Sequence, residues 1–193
     1  MIMAVQVAVA VGVVLAIVLI VFLTVVTYNN VVALQRRCQR AWANIDVALT
    51  QRYEQLPNLV AAVRGVMAFE EQVLVRVAKA RAAYEPDASI HDKAVVSEET
   101  SSAVRSLFAT VENYPELKSH QNVMALQEEI ERLETLIARR RELFNNQVYQ
   151  HNVAITTVPG TLIRPLFGWR EVDMFSADDE ARERPAAGIL DSD

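Results

Sequence analysis

The sequence predicts an all-α protein in which an N-terminal transmembrane helix runs into an antiparallel four-helix bundle in the cytoplasm. The first 35 residues carry no charged side chain, and residues 1–27 are almost entirely apolar. The 193 residues include only five glycines and six prolines, which favours long helices over a fold with many turns. Beyond residue 27, apolar residues recur at steps of three and four, the spacing of one helix face.

Residues 1–27 are predicted to be an uncleaved membrane anchor. A helix needs about 20 apolar residues to cross a bilayer, and this segment supplies them. No Lys or Arg precedes the apolar stretch, and the bulky residues from Phe22 to Tyr28 make a poor cleavage site, so a signal peptide is disfavoured.

Three arginines after the span, Arg36, Arg37 and Arg40, predict its orientation. Cationic residues are retained on the cytoplasmic side. We therefore expect the N-terminus outside, the rest of the chain in the cytoplasm, and these arginines at the lipid head groups.

Small residues recur at every fourth position of the span, at Ala8, Gly12 and Ala16. Such faces let transmembrane helices approach one another closely. This stripe is a candidate packing face between copies.

The first cytoplasmic helix is predicted to continue from the anchor to Leu56 and to end at Pro57, because proline disfavours helix at the preceding residue. A second helix is predicted from Leu59 to Tyr84. Residues 88–100 are polar and are read as a loop or a frayed helix start. A third helix follows from Val104 to Tyr114.

The fourth helix is predicted from Ser119 to Thr157, before Pro159 and Gly160, with one apolar seam. Cys38 also lies on an apolar stripe and is interpreted as a buried small hydrophobe. The residues expected in the core are Trp42, Ile45, Leu49, Leu59, Val63, Leu126, Ile130, Leu133 and Ile137.

The segment from Pro159 to Trp169 is apolar and aromatic, and it looks too broken for a regular helix. Two interpretations stay open: a cap that closes one end of the bundle, or a surface that contacts lipid or a partner. The candidate interaction residues are Leu162, Ile163, Phe167 and Trp169.

Charge separates the C-terminal residues from the rest. From Arg170 onward there are three arginines and eight acidic residues, whereas the preceding chain holds 16 of each sign, so the net charge of −5 belongs to the tail. The predicted domains are therefore residues 1–27 as the anchor, 28–169 as the bundle and 170–193 as an acidic, disordered tail.

No pattern in the sequence indicates catalysis, a cofactor or a metal. The three histidines, His91, His120 and His151, are read as lying in a loop, at a helix start and on the bundle seam, and none is spaced as a metal ligand from another histidine or a cysteine. The charge-balanced domain lacks the basic face of a nucleic-acid-binding protein. Asn145 and Asn152 lie seven residues apart, on one face of the fourth helix.

An ordered series of short motifs from Tyr28 to about Phe175 resembles the LemA family of bacterial membrane-anchored helical proteins. The motifs are Tyr28-Asn29, Ala41-Trp42, Ile45-Asp46-Val47, Leu49, Arg52-Tyr53, Leu56-Pro57-Asn58-Leu59-Val60, Gly65, Glu70, Ala80-Arg81, Glu112, Tyr114-Pro115-Glu116-Leu117-Lys118, Leu126-Gln127, Glu134, Arg141, Asn145, Val148, Asn152, Pro159, Leu162-Ile163 and Phe167-Gly168. Phe69 and His151 depart from the family, which usually has His and Tyr at these positions.

The resemblance implies a single N-terminal span in a bacterial inner membrane, a cytoplasmic four-helix bundle and no known enzymatic activity. We expect a non-enzymatic scaffold that self-associates. The alternative is a ligand-sensing or signalling adaptor that uses a pocket in the bundle. The expected partners are membrane lipids, further copies of the chain and other membrane proteins, with no nucleic acid.

Overall fold

A computed structural model describes residues 1–67, 70–118 and 120–177. Within these ranges the chain forms six α-helices and no strand, so the all-α fold class is confirmed. The helices are α1 (Ile2–Arg64), α2 (Glu71–Ala82), α3 (Ile90–Val111), α4 (Pro115–Lys118), α5 (Gln121–Thr156) and α6 (Gly160–Phe167). The family departure at Phe69, the predicted helix start at Ser119 and tail residues 178–193 lie outside the described residues.

Helix α1 continues through Pro57 to Arg64, so the predicted break at Pro57 is wrong. Proline inside a helix costs about 3 kcal/mol. Pro57 lies on the exposed side, whereas Leu56, Leu59 and Val63 are fully buried on the opposite face. Since burying one such side chain contributes about 1.5–3 kcal/mol, three of them outweigh the proline.

The N-terminal half of α1 is long and apolar enough to cross a membrane. Its most apolar 18-residue window has a mean hydropathy of 3.3, and none of that window is buried within the chain. The apolar side chains of this window therefore point away from the rest of the chain, as a membrane-spanning helix requires.

Helix α3 begins at Ile90, so of the two alternatives for residues 88–100, a loop or a frayed helix start, the loop is wrong, as is the placement of His91 in a loop. Ser89 caps the helix: its Oγ accepts a hydrogen bond from the backbone N–H of Asp92 at 3.1 Å. A side-chain acceptor at this position satisfies one of the donors left free in the first helical turn. The predicted second helix is also divided, because its beginning belongs to α1.

Helix α5 matches the prediction to within about two residues at each end. Its seam is buried at Ile130, Leu133 and Ile137, as predicted. Leu126, near its first turns, is only half-buried, and Trp42 on α1 is half-buried too, so these two burial predictions are wrong. Trp42 contacts the rings of Phe144 and Phe175, at centre-to-centre distances of 5.6 and 5.8 Å.

Residue contacts divide the chain into two compact units, which differ from the predicted domains. The first unit comprises Met1–Gln39 and Gln147–Val172. The second unit comprises Arg40–Asn146 and Asp173–Asp193, of which the structure describes residues up to 177, apart from 68, 69 and 119. Helices α1 and α5 each contribute residues to both units.

Two asparagines of α5 hold the chain that follows α6. In the first unit, Asn152 donates to the carbonyl of Val172 at 2.9 Å and accepts from its N–H at 3.0 Å. In the second unit, Asn145 makes the same pair of bonds with the buried Phe175, at 3.3 and 2.8 Å. Ordered chain therefore continues past Trp169, the predicted end of the bundle. The two asparagine amides supply the hydrogen bonds that the backbone of this non-helical segment needs.

Candidate functional site

A cluster of buried polar side chains lies in the second unit around Arg52, whose side chain is 0 % exposed. Its guanidinium donates to Glu134 Oε1 at 2.7 Å and to the hydroxyls of Ser97 and Ser101, each at 3.0 Å. It also donates to the phenol oxygen of Tyr53 at 3.1 Å. We refer to Arg52, Tyr53, Ser97, Ser101 and Glu134 as the Arg52 cluster.

Helical spacing brings these residues together. Arg52 and Tyr53 lie on the buried stripe of α1, between Leu49 and Leu56. On α3, the buried Thr100 and Ser101 follow Ser97 by three and four positions, and so lie on the same side of the helix. Ser101 Oγ lies 3.0 Å from the carbonyl of Ser97, one turn earlier. Because serine is small, it leaves room for the long Arg52 side chain.

The Arg52–Glu134 pair is the electrostatic centre of the cluster. Arg52 is fully buried, whereas the Glu134 side chain is 28 % exposed. Ser101 Oγ lies 2.7 Å from the other Glu134 oxygen, so both carboxylate oxygens have partners. The Nε atom of Arg52 has no hydrogen-bond partner among the described residues. A buried ion pair of this kind contributes little net stability, but the loss of one partner is costly.

A pocket of about 130 Å³ lies beside the cluster. Ser97, Ser101 and Glu134 of the cluster line it, together with Arg105, Arg141 and Phe175. Pockets for small organic ligands usually measure about 300–1,000 Å³. This one holds roughly four waters at their liquid volume, so its size suits water or a small ion better than an organic metabolite.

Lys93 of α3 forms a second buried polar site in the same unit. Its ammonium donates to Asp46 Oδ1 at 2.7 Å and lies 5.4 Å from the centre of the Trp42 ring. The Tyr84 ring, 5.9 Å from the ammonium, stacks on Tyr53 at 4.0 Å. Lys93 therefore combines an ion pair with Asp46 and cation–π contacts with two aromatic rings.

Within residues 1–67, 70–118 and 120–177, no three His, Cys, Asp or Glu side chains come together as a group that could hold a metal ion. Cys38 is buried, as predicted. Burial raises the pKa of its thiol, and a backbone hydrogen bond only partly offsets that effect. A protonated, enclosed thiol is a poor nucleophile and a poor metal ligand.

The residues predicted to act at the membrane are exposed on α1. Ala8, Gly12 and Ala16 lie on its surface, and a Cβ atom added at Gly12 would meet nothing within 4 Å. Arg36 and Arg37 are also exposed, in the first unit, as is Arg40 in the second. The contacts of these residues with lipid or with other copies stay predictions.

The segment from Pro159 to Trp169 contains a regular helix, α6, so the prediction that it is too broken for one is wrong. Gly160 allows this helix to begin close to α5, because a Cβ there would overlap the carbonyl oxygen of Ala154. Gly168 ends it in the left-handed conformation, with φ of 64°. Each glycine supplies a conformation or a space that other residues lack.

The candidate patch residues of α6 and the following Trp169 differ in exposure. Leu162 is 72 % exposed, whereas Ile163 and Trp169 are half-buried. Phe167 stacks on Trp169 with ring centres 5.2 Å apart, and Tyr28 of α1 contacts both rings, at 4.9 and 6.1 Å. All these residues belong to the first unit.

Sequence reasoning missed the Arg52 cluster and Leu166, although signals for both exist. Arg52 lies three residues after Leu49, on the apolar stripe of the first cytoplasmic helix. A cation at such a position indicates a buried charge. Serines and a threonine at 97, 100 and 101 continue the stripe of Val104 toward the N-terminus. Leu166 lies four residues after Leu162, a spacing that indicates one helix face.

The LemA family model matches residues 41–187 of this chain. The match covers most of the sequence, and the chain belongs to the LemA family. It includes the Arg52 cluster and α6, and it begins after the apolar half of α1. None of the curated proteins compared with the chain matches it.

Proposed function

We propose that this chain is a non-enzymatic scaffold, anchored in a bacterial inner membrane by α1, that self-associates at the cytoplasmic face. The observation that carries the proposal is the continuity of α1 from Ile2 to Arg64. Its first half exposes large apolar side chains along its length, and its second half supplies part of the core. Apolar surface on that scale needs lipid or another protein to cover it.

Orientation and fold follow the same proposal. Arg36, Arg37 and Arg40 after the apolar segment favour a cytoplasmic location for the rest of the chain. The proposed cytoplasmic fold is an antiparallel four-helix bundle, formed by the second part of α1 with α2, α3 and α5. Its partners are membrane lipids, further copies of the chain and other membrane proteins.

The Arg52 cluster supports a structural role. Its donors and acceptors bond mainly to one another, so few are left to hold a substrate. Buried polar networks of this kind specify one packing arrangement among several alternatives, which is what a scaffold needs.

Membrane topology tests the anchor. In a Cys38→Ala background, we expect an impermeant thiol reagent to label Ile2→Cys from outside intact cells. Ser102→Cys, exposed on α3, is expected to react only after the cells are permeabilised. If Ser102→Cys but not Ile2→Cys is labelled in intact cells, the chain has the opposite orientation to the one proposed. Release of the protein by alkaline carbonate would contradict the anchor itself.

Self-association is assigned to the small-residue stripe of α1. Leucines at Ala8 and Gly12 would keep the helices apart, so the double variant is expected to lose cross-linked multimers in native membranes. Ala10→Leu is the matched control, because position 10 lies on the other side of the helix. If multimers persist undiminished in the double variant, this face does not hold the copies together.

The alternative function, a ligand-sensing adaptor, is favoured by the polar pocket beside Glu134. Native mass spectrometry of protein released from membranes separates the two proposals. The adaptor requires a bound small ligand that is lost in Ala138→Leu, which narrows the pocket. The scaffold requires multimers whose abundance is the same in that variant.

A further inference from the structure

Helix α6 has one face without any charge. Leu162 and Leu166, one turn apart, are 72 % and 77 % exposed, and Thr161 and Pro165 lie beside them. On the other side of the helix, Gly160 is buried and Ile163 is half-buried. This face therefore consists mainly of two neighbouring leucines that project from the surface of the first unit.

The one charged residue of α6 is neutralised away from this face. Arg164 donates to the carbonyl of Trp169 at 3.1 Å and to the Glu171 carboxylate at 3.1 Å. Its side chain is two-thirds covered. A helix that lies in a membrane interface buries its apolar face and keeps its charges off that face, and α6 separates its exposed leucines from Arg164 in this way.

Contacts with Tyr28, the first residue after the apolar segment of α1, show where α6 lies along that helix. Tyr28 contacts Phe167 and Trp169, so α6 lies beside the residues at which α1 would leave the bilayer. Tyr and Trp concentrate at that depth, where their rings are in apolar surroundings and their polar atoms reach water. Arg36 follows about 12 Å further along α1, beyond the level of this aromatic cluster.

We propose that α6 is a second membrane contact, in which Leu162 and Leu166 insert at the boundary between head groups and acyl chains. The inference rests on the proposed anchoring by α1 and goes beyond it. Lipid is the occupant because the exposed leucines adjoin an aromatic cluster built on the end of the apolar segment, whose own surface is unburied. Two contacts would fix the rotation of the first unit about the membrane normal, whereas a single helix leaves it free.

The proposal also selects among the candidate patch residues. Leu162 and Leu166 face the lipid, and the rings of Phe167 and Trp169 lie at the depth of the membrane interface. Ile163 is excluded, because it lies on the half-buried side of the helix.

Depth-dependent fluorescence quenching tests the contact on the full chain in vesicles of phosphatidylcholine and phosphatidylglycerol. A single nitrobenzoxadiazole (NBD) dye is attached at Leu166→Cys in a Cys38→Ala background. The same dye at Leu15→Cys reports on the anchor, and at Leu143→Cys it reports on an exposed leucine of α5 in the second unit. Lipids brominated near the head groups or deep in the acyl chains serve as quenchers.

We expect the dye at Leu166→Cys to shift to shorter wavelength and to lose fluorescence mainly to shallow bromines. The dye at Leu15→Cys should be quenched by deep bromines, and the dye at Leu143→Cys by neither. If Leu15→Cys is quenched and Leu166→Cys is not, the α6 contact is refuted while the anchor stands. A blue shift at Leu166→Cys without quenching would mean that protein, and not lipid, covers α6. Absence of quenching at Leu15→Cys would overturn the anchor and the α6 contact together.

Discussion

Arg52 and Glu134 form a 2.7 Å ion pair although they lie 82 positions apart in the sequence. The pair joins α1 to α5 inside the second unit, and Ser101 of α3 bonds to both of its members. The buried charge of Arg52 is therefore balanced by one carboxylate, and its remaining hydrogen bonds go mainly to side-chain hydroxyls.

Glu134→Ala is expected to destabilise the fold by about 3 kcal/mol, because it leaves the Arg52 charge buried without its carboxylate. Urea denaturation followed by circular dichroism measures the loss. Arg52→Met combined with Glu134→Met should recover part of it, since an apolar pair leaves no charge unmatched.

The matched control is Glu129→Ala, which breaks the exposed pair between Glu129 and Arg132 on the same helix. Exposed pairs contribute little, so this variant should unfold at the wild-type urea concentration. Equal effects of Glu134→Ala and Glu129→Ala would show that the Arg52 pair is not buried in solution.

Elements dominated by apolar spacing were predictable from the sequence, as α5 shows. Ile130, Leu133 and Ile137 repeat with helical spacing, and the structure buries all three. The same reasoning failed on α3, since its buried face consists partly of Ser97, Thr100 and Ser101. Hydroxyls carry no hydrophobic signal, and their burial depends on Arg52, which lies elsewhere in the sequence.

Proline and glycine positions misled the prediction in two places. Pro57 lies within α1, because the burial of its neighbours outweighs the missing hydrogen bond. Pro159 and Pro165 suggested an irregular segment, yet α6 forms between Gly160 and Gly168. At Pro57 the burial of neighbouring side chains overrode the local preference for a helix break, and at α6 the two glycines allowed a helix to begin and end within a short segment.

Gly168→Ala is expected to cost about 1–2 kcal/mol, because residues with a Cβ atom are strained in the left-handed region. Gly65→Ala is the control, since an added Cβ there meets nothing within 4 Å and the backbone is not left-handed. That variant should be neutral or slightly stabilising. Thermal unfolding compares the two, and equal midpoints would mean that Gly168 does not adopt the left-handed conformation in solution.

Asn145→Ala is expected to release the backbone around Phe175. The Asn145 amide makes two hydrogen bonds to that residue, so its removal should cost about 1–3 kcal/mol. Hydrogen exchange provides a local measurement: the Phe175 amide should lose its protection. Asn122→Ala, exposed near the start of α5, should leave that amide protected. An unprotected Phe175 amide in the wild type would refute the pairing.

Tyr114 is expected to make the stability of the fold depend on pH in the alkaline range. Burial raises the pKa of its phenol above the ordinary value, and the Glu70 carboxylate, which accepts its hydrogen bond at 3.2 Å, raises it further. The folded state thus keeps a proton that the unfolded chain loses above about pH 10. The stability from this group is complete below that pH and is lost as the pH rises through the folded pKa.

Tyr114→Phe should therefore flatten the decline of the free energy of unfolding with pH above about pH 10. Urea midpoints measured across that range give the slope. Tyr149→Phe, an exposed tyrosine on α5, should keep the wild-type slope. A wild-type slope in Tyr114→Phe would show that the Glu70 hydrogen bond does not form.

The size of the full chain, extracted in several mild detergents and measured by light scattering with the detergent contribution subtracted, tests the scaffold most directly. The account predicts dimers or larger assemblies in each detergent, and smaller particles for the variant with leucines at Ala8 and Gly12. A strict monomer in every detergent would contradict a self-associating scaffold.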